Sequence, residues 1–195
     1  MPTVVSKQRI LKFGRHASAA GMLMVVALFL LLLLPSVLPA QESPKTYQTK
    51  YATISYTEDK DLHTFTRNTG SGFSFLRESS EQNPLLAKTQ VDKMVETIFS
   101  LLDMVPPNFH FGINIYRTQG EVTAAFYRVS GRGAAPVAFY AHQTRSIAIA
   151  VDSITDGILV HEIAHAVISA YFPVPPPARM QEILAQHMDK NIRDN

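Results

Sequence analysis

The amino-acid sequence predicts an α+β fold, a small mixed β-sheet with supporting helices, on three observations. Apolar residues recur at helical spacing in 85–105, 155–172 and 178–191. Short alternating or β-branched runs at 51–57, 109–116, 137–140 and 146–151 read as strands. Clusters of Pro, Gly and polar residues punctuate the chain between them. A chain of 195 residues suits one domain.

The first forty residues stand apart. They hold Lys7, Arg9, Lys12 and Arg15 with no acid, then the apolar run Gly21–Leu34, then Pro35–Ala40. A basic segment, an apolar segment and a small residue at the end describe a secretory signal peptide over 1–40, cut after Ala40. Residues 17–41 carry no charge and are long enough to span a bilayer, so an uncleaved N-terminal membrane anchor fits the same residues. Either way the remainder is exported, into a periplasmic or extracellular space, with membrane association through 17–41 in the second case.

Beyond residue 40 the chain holds 14 Lys+Arg against 16 Asp+Glu, a formal charge of −2, with no basic patch to serve nucleic acid. Cysteine is absent, which excludes disulfides and thiolate zinc fingers and leaves histidine and carboxylate as the metal donors. An exported domain of this kind is held by its core alone.

Residues 41–50 are polar and read as a linker, and the domain is expected over 51–195. Tyr51–Thr57 is a strand. Asp59–Asn68 carries a weaker pattern, in which Thr57 and the Leu62/Phe65 spacing favour a short helix. Thr69-Gly-Ser-Gly72 breaks the chain and Phe73–Pro84 reads as loop. From Leu85 to Val105, Val91, Met94, Val95, Ile98, Leu101, Leu102 and Val105 fall at helical spacing until Pro106-Pro107. Phe109–Tyr116 is the expected central strand. Thr118-Gln-Gly-Glu121 is a capping box opening a helix to about Val129, with Val122, Ala125 and Phe126 inward. Val137–Tyr140 and Ser146–Val151 form a hairpin turned by His142-Gln-Thr144.

The chemistry lies in His161-Glu162-Ile163-Ala164-His165. On a helix, residues four apart share a face, so His161 and His165 can offer two imidazoles to one Zn²⁺. The segment is helical by pattern: Leu159, Ile163, Ala166 and Ala170 form one face, and His161, His165 and Ile168 another. Ser153 and Asp156 match a start signal, and Pro173 with Pro175-Pro176-Pro177 ends the run after Phe172. Catalytic zinc needs three protein ligands and an open position. Glu182, 17 residues past His165, supplies the third from a second helix. On that helix Met180, Ile183, Leu184 and His187 or Met188 read as the packed side, with Glu182, Ala185 and Asp189 opposite. A short proline loop holds the two helices close. The roles then divide: His161, His165 and Glu182 bind the metal, and Glu162 takes a proton from the attacking water. Gln186 and Asp189 are placed to orient a ligand or to sit on a solvated face. Tyr140, His142 and His187 are candidate donors to a developing oxyanion. His63 and His110 read as a surface and a strand residue.

At V-H-E-I-A-H-A, followed by a helix carrying Q-E-I-L-A, the sequence resembles the gluzincin zinc metallopeptidases, the thermolysin-like peptidase MA type. In place of a glycine common in that family, Ile183 follows the ligand glutamate. The resemblance implies a zincin-like domain with an active-site helix and a C-terminal ligand helix. It implies hydrolysis of a peptide or protein substrate, with the substrate extended along the sheet edge beside the active-site helix. Ser146–Val151 is the expected edge. A catalytically inactive, zinc-stabilised binding module of the cell envelope is the alternative, and a metal-free tethered domain a third.

Overall fold

In the computed structural model, which describes residues 43–70 and 84–193, the elements run β1 (Lys45–Gln48), β2 (Ala52–Tyr56), α1 (Asp59–Asn68), α2 (Pro84–Leu102), β3 (Phe111–Tyr116), α3 (Gln119–Ser130), β4 (Ala138–Ala141), β5 (Ser146–Ala150), α4 (Asp156–Tyr171) and α5 (Ala178–Arg193). The fold is α+β with a mixed five-stranded sheet of order β1-β2-β3-β5-β4. β2, β3 and β5 are mutually parallel, while β1 and β4 join the two sides antiparallel.

Period-two alternation decides which face of the sheet carries the core. Phe111, Ile113 and Ile115 of β3 and Ile147 and Ile149 of β5 turn to the side shared by α1, α2, α4 and α5. There they meet Phe65, Met94, Ile98, Leu159 and Ile163, all inaccessible to solvent. On the reverse face of β5 stand Ala148 and Ala150, covered by α3 through Val122 and Ala125. Small residues there let the helix lie close to the strand. β3 is the middle strand, as its alternation predicted.

Several boundaries differ from the pattern, each for a local reason. Within 41–50, Lys45–Gln48 pairs antiparallel with Thr53–Tyr56, so the expected linker carries a strand. An edge strand of four mostly exposed residues has no apolar alternation to betray it. α1 is opened by Glu58, whose N–H donates to the Asp61 carboxylate, rather than by Thr57. α2 stops at Leu102, three residues short of Val105, because Asp103 turns into the left-handed region at φ 52°. α3 begins at the Thr118/Glu121 capping box as expected.

Residues 1–42 and 71–83, with the signal or anchor and most of the expected 73–84 loop, lie outside the described residues. Among the described residues no helix is long and apolar enough to cross a membrane.

Candidate metal centre

The centre is assembled by three local decisions of the chain. β5 runs through Val151–Ile154 into α4, whose first turn is capped by Thr155, its hydroxyl accepting the Ile158 N–H at 3.4 Å. The Ser153 start signal is therefore two residues early; Ser153 instead closes a turn onto the Ala150 carbonyl. α4 is buried on most of its circumference, which pins its roll against the sheet and α2 and leaves His161 and His165 partly accessible on one stripe. At its far end Phe172 goes extended and the proline segment reverses the chain. Gln181 locks that reversal, donating from Nε2 to the Pro176 carbonyl at 2.7 Å.

α5 lies against α4 by a face that the apolar pattern picked out at Met188 but not at Ala185 or Glu182. Ala185 and Met188 are fully buried, while Met180 and Ile183 are exposed. The rotation puts Glu182 on the packed side instead of the opposite one, and the small Ala185 permits the close approach. An aliphatic pattern misleads here because the inner face of α5 is shared between packing and polar ligands.

The result brings all three sequence-predicted ligands together. His161 Nε2 and His165 Nε2 are 3.2 Å apart, and Glu182 Oε2 is 3.5 Å from the first and 3.6 Å from the second. Tetrahedral zinc bonds of about 2.0–2.1 Å set neighbouring donors about 3.3–3.4 Å apart, so this triangle matches the size one ion requires. Burial lowers the His165 pKa, the nearby His161 ring adding to the effect, while Glu182 and Gln181 oppose it. A depressed pKa keeps the ring neutral and its lone pair available to a metal. Gln186 Nε2 donates to Glu182 Oε1 at 2.8 Å, leaving Oε2 towards the histidines. Gln186 thus holds the carboxylate rather than a histidine. Gln181, which belongs to no metal-binding pattern, is the side chain that reaches the His165 ring. Its position directly before Glu182 was the available signal. The side chain of Asp189 lies outside the described residues.

Glu162 is buried beside this triangle and faces β4. Its Oε2 accepts the Tyr140 backbone N–H at 2.7 Å. Burial pushes its pKa up to about 7, the Tyr140 N–H works against the shift, and the Glu182 charge adds to it. A carboxyl group poised there exchanges a proton readily near neutral pH.

β5 is not the edge of the sheet. It lies between β3 and β4, and β4, the other strand of the hairpin, borders α4. The Ala150 N–H donates to the Val137 carbonyl, so antiparallel alternation pairs Phe139 and Ala141 with β5 and turns the backbone of Ala138 and Tyr140 outward. No family model, curated protein or solved structure matches this chain. What the centre can do follows from its own geometry.

The three candidate oxyanion donors separate. Tyr140 of β4 is half-buried, and burial raises its phenol pKa, with Arg145 opposing, so the hydroxyl stays a donor. His142 is exposed in the hairpin turn. His187 is exposed on α5, five residues from Glu182 and therefore about 140° round the helix from it. His63 sits part-exposed on α1, and His110 bonds Thr53 Oγ1 at 2.9 Å ahead of β3.

Proposed function

We propose that this chain is an exported zinc-dependent metallopeptidase of the gluzincin type, acting on peptide or protein substrates. One observation carries the reading: two imidazole nitrogens and one carboxylate oxygen lie 3.2–3.6 Å apart, with a second, buried carboxyl group beside them and, in contact with it, a sheet edge unpaired among the described residues. Zinc held by His161, His165 and Glu182 would supply Lewis acidity and a water of lowered pKa.

The chain's own groups account for the rest. Glu162 takes the proton of the water that attacks the peptide carbonyl carbon, and returns it to the departing amine as the C–N bond breaks. The Tyr140 N–H fixes one oxygen of Glu162, so the carboxyl group is oriented before substrate arrives. The outward Tyr140 carbonyl and Ala138 backbone offer a short ladder along which an extended peptide adds as a strand.

The test is metal content and hydrolysis of an unstructured protein by wild type and Glu162→Gln. The variant should hold one zinc per chain and lose turnover. Undiminished activity in the variant would overturn the mechanism, and stoichiometric zinc in a wild type that cleaves nothing would favour the envelope binding module.

A further inference from the structure

The hairpin turn, the second half of α4 and the segment 107–111 enclose a cleft of about 540 Å³ that none of the metal ligands lines. We propose that this cleft is a carboxylate-binding subsite, which selects substrates carrying an acidic group a residue or two from the scissile bond; the inference rests on the peptidase reading.

Position supports the assignment first. Tyr140 belongs to both places: its N–H holds Glu162 while its side chain lines the cleft. Ser169, also on the lining, lies one helical turn beyond His165, about 6 Å along the axis. An extended chain covers that distance in about two residues. The volume accommodates a side chain or a chain terminus.

Charge supports it next. Arg145 is the one Lys or Arg on the lining, His142 and His110 add ring nitrogens, and no Asp or Glu lines the cleft. Arg145 lies near enough to the Tyr140 phenol to influence its ionisation. Among the described residues no ion pair engages Arg145, whereas Arg117 is held by Glu58 and Asp61. The backbone at Arg145 is left-handed, at φ 48°, where glycine or asparagine is locally preferred. It is held there at both ends: its N–H bonds the His142 carbonyl at 3.3 Å, and its own carbonyl accepts the Gly112 N–H at 2.9 Å. An exposed arginine whose backbone is held in a strained position at the mouth of the cleft, and which has no ion pair of its own among the described residues, is a ready partner for the carboxylate of a ligand. Phe109 and Phe172 add apolar surface to the same lining.

The experiment compares the full chain with Arg145→Gln and Arg145→Gly, the latter suited to the left-handed backbone. Substrates are peptide pairs differing only by Glu against Gln at each position within three residues of the cleaved bond, and pairs differing only by a free or amidated C-terminus. The wild type should prefer the acid member of one pair type about tenfold in kcat/KM, and that pair type identifies the source of the carboxylate. In both Arg145 variants the ratio should fall towards one. A parallel arm measures binding of the same fluorescent peptides to Glu162→Gln, with and without Arg145→Gly, and needs no turnover. Acid-selective binding that vanishes with Arg145, in a protein whose wild type cleaves nothing, would uphold the cleft and reject the peptidase. Equal treatment of acid and amide peptides in the binding arm, or selectivity that survives Arg145→Gly, would overturn the cleft.

Discussion

Replacing Glu162 by glutamine should stabilise the metal-free protein, and only towards neutral and alkaline pH. Glu162 is 9% exposed, and burial raises its carboxyl from 4.5 to about 7. A tenfold weakening of an acid corresponds to about 1.36 kcal/mol, so ionising the buried group costs the native state about 3 kcal/mol. The sign follows from proton binding. Below the unfolded pKa both states hold the proton and nothing is lost. Between the two values the native state binds more protons than the unfolded chain, so stability falls as pH rises, and the full cost is present above the folded pKa.

Glutamine keeps the shape and an amide oxygen for the Tyr140 N–H, but never ionises. At pH 8.5 the variant should therefore unfold at a temperature higher by roughly 6–12 °C, given about 2–4 °C per kcal/mol for a chain of this size. At pH 4 the two proteins should melt together. The assay is thermal unfolding by circular dichroism on chelator-treated full chain across pH 4–8.5. An offset that is constant across pH, or a destabilised variant at pH 8.5, would refute the buried-acid account. Zinc should shrink the difference, because a nearby cation favours the carboxylate.

The ligand set makes its own demands. His161→Ala, His165→Ala and Glu182→Ala should each lose stoichiometric zinc, and with it the rise in melting temperature that zinc gives the wild type; saturation at a thousand times Kd adds about 4 kcal/mol, read by calorimetry with and without chelator. Gln186→Ala frees Glu182 Oε1 and should weaken zinc binding about 10- to 100-fold in a competitive chelator titration while leaving the fold unchanged. Ala185→Leu overfills the α4–α5 contact and should cost about 1–3 kcal/mol in denaturant unfolding, with a further loss of zinc affinity as Glu182 moves off the histidines.

Where one physical rule governed a segment, the sequence was legible. The central strand, the capping box at Thr118 and the long helix before Pro106 each rest on a local pattern that the tertiary structure has no cause to override. The juxtaposition of His161, His165 and Glu182 was legible because metal chemistry, which suggested the three, restricts residue type and spacing more tightly than packing does. The face of α5 was legible only at Met188. Met180 and Ile183 satisfy an apolar pattern yet lie outward, since a helix that must present Glu182 inward has only Ala185 and Met188 left for packing. The edge strand was assigned to the wrong arm of the hairpin, because both β4 and β5 are short and apolar and only pairing order separates them.

That exchange of arms alters the chemistry. An inner β5 has its backbone groups committed to two neighbours and could not receive a peptide, whereas β4 pairs on one side only among the described residues. The same open strand donates its Tyr140 N–H to Glu162, so the group proposed to move the proton and the strand proposed to align the substrate share one peptide unit. Substrate added at Ala138 and Tyr140 would then compete with water for the space beside Glu162. Occupancy of the edge should desolvate the carboxyl group further and raise its pKa, and the zinc cation should draw it back down. In the proposed reaction the balance between these two opposing effects, rather than the metal-free value near 7, would set the acidity at which Glu162 acts.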